Sequence, residues 1–185
     1  MDRPLFIPVL LGSSRAERKS GNVAQFVISQ IQAKKIQSEL LDVRTMGLPF
    51  YEEEHEKLPA AKQWSETMQR ADGLIVVSPE YNHSFPGVLK NTLDYLYDEY
   101  LHKPIGIVGT SCSQMGGVRM IEQLRLVAIE LHMVPIRHAV YFGEMGKKFD
   151  ENGKLLDEAY IERVDKMLDE LLWYARVLKK GREET

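Results

Sequence analysis

The sequence of 185 residues has one cysteine, no strong excess of either charge and no long uninterrupted apolar segment. A single cysteine, Cys112, cannot form a disulfide within the chain, and scarce cysteine is typical of a reducing compartment. The formal net charge of −3 lacks the clustered Lys and Arg excess of a nucleic-acid binder. The apolar stretch before Gly12 is too short for a signal peptide, and no run reaches the length of a membrane span. We therefore expect a cytoplasmic protein that binds neither nucleic acid nor membranes.

The sequence also lacks the side-chain clusters that usually hold a metal ion. Its histidines are scattered, without the close pairing that zinc sites show, so we predict no metal site. The acidic run at residues 52–56 is interpreted as a solvated loop rather than a cation site. Residues 150–153 resemble part of a calcium loop, but Lys148 occupies the position of the preceding ligand. A turn is the favoured interpretation of that segment.

Short apolar runs alternate with helical patterns along the chain. Four runs lack polar alternation, which is typical of strands covered on both faces, and a fifth strand follows them. These five predicted strands are residues 5–11, 40–43, 74–78, 105–109 and 134–142. Between and after them, apolar residues recur every three or four positions, as in amphipathic helices. Strict alternation predicts parallel strands joined by right-handed crossovers, with helices on both faces of one sheet.

We interpret residues 1–185 as a single α/β domain of the flavodoxin-like type. The expected architecture is a three-layer, doubly wound, five-stranded parallel sheet with strand order 2-1-3-4-5. In that order, the loops after the first and third strands flank a crevice at the carboxyl edge of the sheet, where ligands bind. Pro8 lies inside the first strand and cannot donate a ladder hydrogen bond, so we expect a local irregularity there.

The loop after the first strand carries hydroxyl, guanidinium and backbone amide groups at the start of a helix. Its candidate ligand-binding residues are Ser13, Arg15, Arg18, Ser20 and Asn22. Such groups at a helix N-terminus favour a phosphate, while simple capping of the helix by Ser20 or Asn22 is the alternative. The loop matches neither the Gly-x-Gly-x-x-Gly nor the Gly-x-x-x-x-Gly-Lys-Ser pattern. This argues against a Rossmann dinucleotide site and a nucleoside-triphosphatase loop.

The loop after the third strand is dense in prolines and hydrogen-bonding groups. Its candidate ligand-binding residues are Pro79, Glu80, Tyr81, Asn82 and Ser84, and Pro86 then sits where a helix can begin without losing a bond. Loops at the carboxyl ends of buried strands are where open α/β sheets bind ligands. This loop is therefore the first candidate for a binding site.

The loop after the fourth strand is rich in small residues. Its candidates are Ser111, Gln114, Gly116 and Gly117, and adjacent glycines allow a flat ligand to approach the backbone closely. Cys112 is interpreted as a small buried residue rather than a nucleophile. A cysteine-dependent phosphatase would place an arginine six positions after its cysteine, whereas position 118 is Val and Arg119 falls one residue late.

Three motifs in the same order resemble those of the NADPH-dependent FMN reductase family. They are Gly12-Ser13-x-Arg15 with Ser20 and Asn22, Pro79-Glu80-Tyr81-Asn82-x-Ser84-x-Pro86-Gly87-x-Leu89-Lys90-Asn91-x-x-Asp94, and Gly116-Gly117-x-Arg119. The resemblance implies an FMN phosphate site at Ser13, Arg15, Ser20 and Asn22. Arg18 is a further candidate, because some members have two fewer residues in this loop. The resemblance also places the isoalloxazine ring along residues 79–84, with Ser111, Gln114, Gly116 and Gly117 at its other edge.

The resemblance implies that NADPH passes a hydride to bound FMN, which then reduces a small acceptor such as a free flavin, quinone, azo dye or metal oxyanion. We expect no catalytic side chain, because the flavin carries the chemistry. The alternatives are an electron-carrying flavodoxin, typically more acidic than this chain, a non-catalytic FMN-binding module and, least favoured, a hydrolase on the same fold.

Tyrosines follow Pro86 at positions 95, 97 and 100, and aromatic residues concentrate at protein interfaces. Together with the family resemblance, they predict a homodimer or homotetramer. A monomer with tyrosines exposed to water is the alternative.

Overall fold

A parallel β-sheet forms the centre of the structure, a computed structural model that describes residues 3–52 and 58–184. Its strands are β1 Val9–Leu11, β2 Leu40–Asp42, β3 Leu74–Pro79, β4 Pro104–Thr110, β5 Val134–Pro135 and β6 Val140–Phe142. The strand order is β2-β1-β3-β4-β5, and β6 also pairs with β4. All of these pairings are parallel. The predicted order of a flavodoxin-like sheet is confirmed.

Helices cover both faces of this sheet. They are α1 Ser20–Ala33, α2 Val43–Met46, α3 Pro59–Arg70, α4 Gly87–Leu93, α5 Val118–Glu130 and α6 Ala159–Glu183. Helices α1 and α6 share one buried apolar core with the sheet, while α3, α4 and α5 share the other. Strand β3 supplies both cores, Ile75 and Val77 to the first and Leu74 and Val76 to the second. Because alternate side chains of a strand point to opposite faces of the sheet, the sheet lies between two helix layers, which is the expected three-layer arrangement.

The irregularity expected at Pro8 is present, and it shortens the first strand. Regular pairing begins only at Val9, while Phe6 forms an isolated bridge with Gln37. The Pro8 carbonyl still accepts a hydrogen bond from the Ile75 N–H at 3.0 Å. Pro8 therefore keeps its acceptor role and loses only the donor that its ring lacks.

Two strands, rather than one, occupy the position predicted for a fifth strand over residues 134–142. β5 pairs with the start of β4, and β6 pairs with its end. Between them, the carbonyls of Ile136 and Arg137 accept hydrogen bonds from the Arg125 guanidinium at 2.6 and 2.9 Å. A side chain of α5 thus satisfies backbone groups where the strand is interrupted.

Helix α4 begins directly after Pro86, as predicted, and ends at Leu93. Buried side chains satisfy carbonyls at its end: Trp64 Nε1 donates to the Thr92 carbonyl at 3.1 Å, and the Tyr100 hydroxyl donates to the Leu93 carbonyl at 3.2 Å. Tyr95 and Tyr100 are buried in the core, while Tyr97 is half exposed. Of these three tyrosines, only Tyr97 is left available for an interface.

The predicted turn at residues 150–153 is confirmed. The Asp150 carboxylate accepts hydrogen bonds from the N–H groups of Asn152 and Lys154 at 2.9 and 2.8 Å. Most of the acidic run at 52–56 lies outside the described residues, so its interpretation as a solvated loop stays a prediction. No helix in the described part of the chain combines the length and apolar character needed to cross a membrane.

Buried charges lie at the amino edge of the sheet, opposite the predicted crevice. Asp72 is fully buried and accepts hydrogen bonds from two nitrogens of Arg3 at 2.9 and 2.8 Å. Lys103 is 5% exposed, and its ammonium group donates to the carbonyl of Met68. Burial lowers the pKa of Lys103 to about 8. A lysine with this pKa makes the unfolding free energy depend on pH in the alkaline range.

Replacing Lys103 by methionine is expected to flatten the dependence of the unfolding free energy on pH between about 8 and 10. In this window the unfolded chain keeps a proton that the folded chain has lost, so wild-type stability rises with pH. A shift from the usual 10.5 to about 8 corresponds to a rise of about 3 kcal/mol across the full titration. Urea unfolding of both proteins at several pH values measures the difference. Parallel pH profiles for the two proteins would contradict the assignment.

Candidate flavin site

A cavity of about 230 Å³ opens at the carboxyl edge of the sheet, between the loops that follow β1, β3 and β4. Eight of the predicted residues line it: Ser13, Arg15, Arg18, Ser20, Pro79, Glu80, Tyr81 and Ser111. The three loops singled out in the sequence therefore converge on one site, as the position of strand ends in a parallel sheet requires.

Three buried polar atoms without a partner lie together at this cavity, whereas a larger open cleft of about 660 Å³ has one among the described residues, on Ser38. Ser13 Oγ, Ser20 Oγ and Arg18 Nε are buried and have no hydrogen-bond partner among the described residues. Ser13 is only 1% exposed and Ser20 only 4%. Because buried polar groups are normally paired, three unpaired groups on one cavity indicate a ligand rich in acceptor oxygens.

The start of helix α1 adds a partial positive charge to these groups. Ser20 is the first residue of the helix, and the side chain of the preceding residue, Lys19, makes no capping hydrogen bond. The N–H groups of Gly21 and Asn22 already donate to the carbonyls of Arg18 and Lys19, at 3.4 and 3.2 Å, so this helix end favours an anion mainly through its dipole. Hydroxyls, a guanidinium and a helix end together match the needs of a phosphate monoester, so the residues present fit the phosphate of FMN.

Arg18 is fixed in place by Asp42, which ends β2. One terminal nitrogen of the guanidinium pairs with the Asp42 carboxylate, and the other donates to the Arg15 carbonyl at 3.0 Å. Asp42 also accepts a hydrogen bond from the Arg44 N–H at 3.0 Å. The Arg15 side chain is exposed and forms no hydrogen bond or ion pair within the described residues. Arg18 thus presents Nε from a fixed position, whereas Arg15 has its whole guanidinium available.

The loop after β3 forms a tight turn at the rim of the cavity. The Tyr81 N–H donates to the Ser84 carbonyl at 2.7 Å, and the Ser84 N–H donates to the Tyr81 carbonyl at 2.9 Å. Asn82 and His83 between them have φ values of 48° and 66°, as in a type I′ turn. Asn82 and Ser84 shape this turn and lie outside the cavity lining, whereas Tyr81 lines the cavity.

Gly116 and Gly117 lie against the protein itself rather than in the cavity lining. Gly116 has a φ of 62°, and a Cβ there would lie 2.6 Å from the carbonyl carbon of Tyr141. A Cβ on Gly117, whose φ is 85°, would lie 3.1 Å from the Cα of Gly109. Close packing of chain on chain accounts for both glycines. Their assignment to the flavin ring, like that of Gln114, stays a prediction.

Asn22 lies outside the main cavity. It lines a neighbouring cavity of about 230 Å³ together with Phe149 and Asp150. Its side-chain oxygen is 3.5 Å from the position that a Cβ on Gly153 would take. Asn22 is not among the residues that line the main cavity, so its contact with the phosphate stays a prediction.

Sequence reasoning missed five residues that line the main cavity: Glu17, Lys19, Thr110, Cys112 and Met145. Cys112 is exposed, so its interpretation as a small buried residue is wrong. Three of the five belong to loops already identified by their position after a strand, and Thr110 is the last residue of β4. Met145 comes from the connection after β6, where its N–H donates to the Ser111 carbonyl at 3.2 Å. No local motif marks it, so only the fold brings it to the site. Within the described ranges, no three His, Cys, Asp or Glu side chains are grouped to hold a metal ion.

The fold is that of a flavodoxin-like protein, with a candidate anion site at the carboxyl edge of its sheet. Residues 7–147 match the model of a family described as NADPH-dependent FMN reductase. The chain belongs to this family, whose cofactor is FMN and whose electron donor is NAD(P)H. The family expected from the three sequence motifs is confirmed.

Relatives with assigned activities support the same family. The chain is 33% identical over 148 residues to an NAD(P)H-dependent FMN reductase of Pseudomonas aeruginosa, covering 75% of this chain and 79% of the relative. It is 30% identical over 168 residues to a quinone reductase of Pseudomonas putida, covering 85% and 88%. The flavoenzyme NAD(P)H:(acceptor) oxidoreductase FerB of Paracoccus denitrificans superposes with a TM-score of 0.77 at 20% identity, covering 92% of this chain and 98% of that one. This structural likeness confirms the fold.

Proposed function

We propose that this protein binds FMN in the cavity at the carboxyl edge and uses it to reduce a quinone-type acceptor with electrons from NADPH. The observation that carries the proposal is the group of three unpaired buried polar atoms, on Ser13, Ser20 and Arg18, at the start of α1. When bound, FMN accepts a hydride from a nicotinamide and passes electrons to a second substrate. Family membership supports the cofactor, and the quinone reductase of Pseudomonas putida supports the acceptor class.

The phosphate is proposed to lie against the loop after β1. The hydroxyls of Ser13 and Ser20 would donate to its oxygens, and Arg18 Nε would add a charge-assisted bond. Arg15 would close the open side of the site, because its guanidinium is exposed and uncommitted. The pairing of Arg18 with Asp42 orients Nε before the ligand arrives, which lowers the entropic cost of binding.

The flavin ring is proposed to lie along Pro79, Glu80 and Tyr81, with Ser111 across the cavity. In this position, backbone groups and the Tyr81 ring orient the flavin and limit access of water on one side. Gln114, Gly116 and Gly117 are proposed to lie nearer the far edge of the ring. No acid, base or nucleophile is assigned among these residues, since they bind and orient rather than react. Tyr81 and Asn82 are therefore positioning residues.

Residues 1–185 are proposed to form one domain that assembles into a homodimer or homotetramer in the cytoplasm. Exposed apolar side chains support association, because Phe50 is 85% exposed and Leu126 is 62% exposed. The low cysteine content supports the compartment. Light scattering tests the assembly, and a mass equal to one chain would contradict it.

Anaerobic addition of NADPH to the purified, FMN-loaded protein is expected to bleach the visible flavin absorption without any added reductase. Subsequent addition of 1,4-benzoquinone is expected to restore it, because electrons leave for the acceptor. Bleaching that requires a separate reductase would instead indicate an electron carrier. A protein that neither contains nor binds FMN would overturn the assignment of the cavity.

A further inference from the structure

Helix α5 begins without a capping side chain of its own. The residue before its first turn is Gly117, which has no side chain to accept a hydrogen bond from the helix. The N–H groups of Arg119 and Met120 donate instead to the Glu80 carboxylate, at 3.1 and 3.3 Å. Glu80 lies 39 residues before Arg119 in the loop that follows β3. A residue from another part of the fold therefore caps α5.

The negative charge of Glu80 is also balanced at this helix end. Its second oxygen lies 3.5 Å from Arg119 Nη1, and its side chain is only 12% exposed. The positive end of the α5 dipole acts in the same direction as the guanidinium. Every described partner of this carboxylate belongs to the first turn of α5, so its side chain is committed to the protein.

Glu80 lines the cavity, and its carboxylate is hydrogen-bonded to the start of α5. Its N–H donates to the Thr110 carbonyl at 3.1 Å, which ties the loop to the end of β4. The next residue, Tyr81, lines the cavity and opens the tight turn to Ser84. Glu80 thus links the turn beside the cavity to two neighbouring elements.

We propose that Glu80 is a positioning residue, which holds the loop at residues 79–84 against the flavin ring by capping α5 rather than by contacting FMN through its side chain. This inference rests on the proposed function, because it takes the ring to lie along that loop. Loss of the carboxylate removes the acceptor of two N–H groups and frees the loop from α5. The ring side of the site is then disturbed, while the phosphate side at Ser13 and Ser20 is untouched.

The test compares Glu80→Ala and Glu80→Gln with the matched control Glu122→Ala. Glu122 lies on the same helix, is 62% exposed and pairs with Arg125 at 3.3 Å, so its removal breaks an ion pair of α5 outside the cavity. Hydrogen exchange of the Arg119 and Met120 amides in FMN-free protein reports the cap independently of any flavin. How well the site holds the flavin ring is measured by the affinities for FMN and riboflavin and by the circular dichroism of bound FMN.

In Glu80→Ala, exchange of both amides is expected to accelerate at least about tenfold, because their acceptor is lost. Affinity is expected to fall by a similar factor for FMN and for riboflavin, with an altered dichroism of the bound flavin. Glu80→Gln keeps an acceptor oxygen, so its amide exchange, flavin affinity and dichroism should lie close to those of the wild type. Glu122→Ala should match the wild type in all three measurements. Unchanged exchange in Glu80→Ala would overturn the cap. Faster exchange with unchanged flavin affinity and dichroism would overturn the positioning role, whereas a wild type that binds no flavin would instead overturn the proposed function.

Discussion

Replacement of Arg18 by alanine is expected to weaken FMN binding about a hundredfold while leaving riboflavin binding unchanged. The variant loses a charge-assisted hydrogen bond of about 1.5–3 kcal/mol. It also leaves the Asp42 carboxylate without its partner and close to the bound phosphate, which adds a repulsion of about 1 kcal/mol. Each 1.4 kcal/mol is about tenfold in affinity. Fluorescence titration of the flavin-free protein with FMN and with riboflavin measures both affinities.

The double variant Arg18→Ala with Asp42→Asn separates these two contributions. It removes the uncompensated carboxylate, so we expect it to recover part of the lost FMN affinity, by up to about tenfold. Arg44→Ala is the matched control: Arg44 lies near the same loop and donates to the Ser14 carbonyl at 3.3 Å, but it does not line the cavity. An equal loss of FMN and riboflavin affinity in Arg18→Ala would contradict a phosphate site at this residue.

Most of the fold could be predicted from the sequence, because buried strands and amphipathic helices leave different apolar periods. The exceptions depend on residues distant in sequence. Pro135 ends β5 and is a local signal for the break before β6, but the hydrogen bonds that stabilise the break come from Arg125 of α5. The end of α4 at Leu93 likewise depends on Trp64 and Tyr100, which donate to its carbonyls from other elements. Such tertiary contacts override local propensity.

The candidate site was predictable to the level of its three loops, because parallel strands end at one edge of the sheet. The roles of individual side chains were harder to predict from the sequence. Glu80 was grouped with the residues expected at the flavin, yet its carboxylate caps α5. Gly116 was expected to let a flat ligand approach the backbone, and this stays a prediction; packing against Tyr141 gives a separate reason for the glycine, since a Cβ there would meet that backbone. A motif records which residue type a position requires, and only the fold shows which neighbour imposes the requirement.

Gly109 in β4 is expected to tolerate no side chain. A Cβ at this position would lie 2.4 Å from the Gly116 carbonyl oxygen and 2.9 Å from Cδ1 of Ile121. Because the nearer atom belongs to the backbone, Gly109→Ala must push the loop at residues 111–117 and the start of α5 away from the sheet. We expect a loss of about 3 kcal/mol of unfolding free energy. We also expect FMN binding to fall below detection, because Ser111 would move away from the cavity.

Gly106 of the same strand provides a matched control. A Cβ there would lie 3.5 Å from Met167 Sδ and 3.6 Å from Cγ1 of Ile75, which are ordinary contact distances. Gly106→Ala is therefore expected to change the unfolding free energy by less than about 1 kcal/mol and to retain FMN. Urea unfolding and flavin retention after gel filtration distinguish the two variants. Equal stability and equal retention would show that the loop after β4 can shift without loss. The site would then depend on the loops after β1 and β3, with the third loop only bordering it.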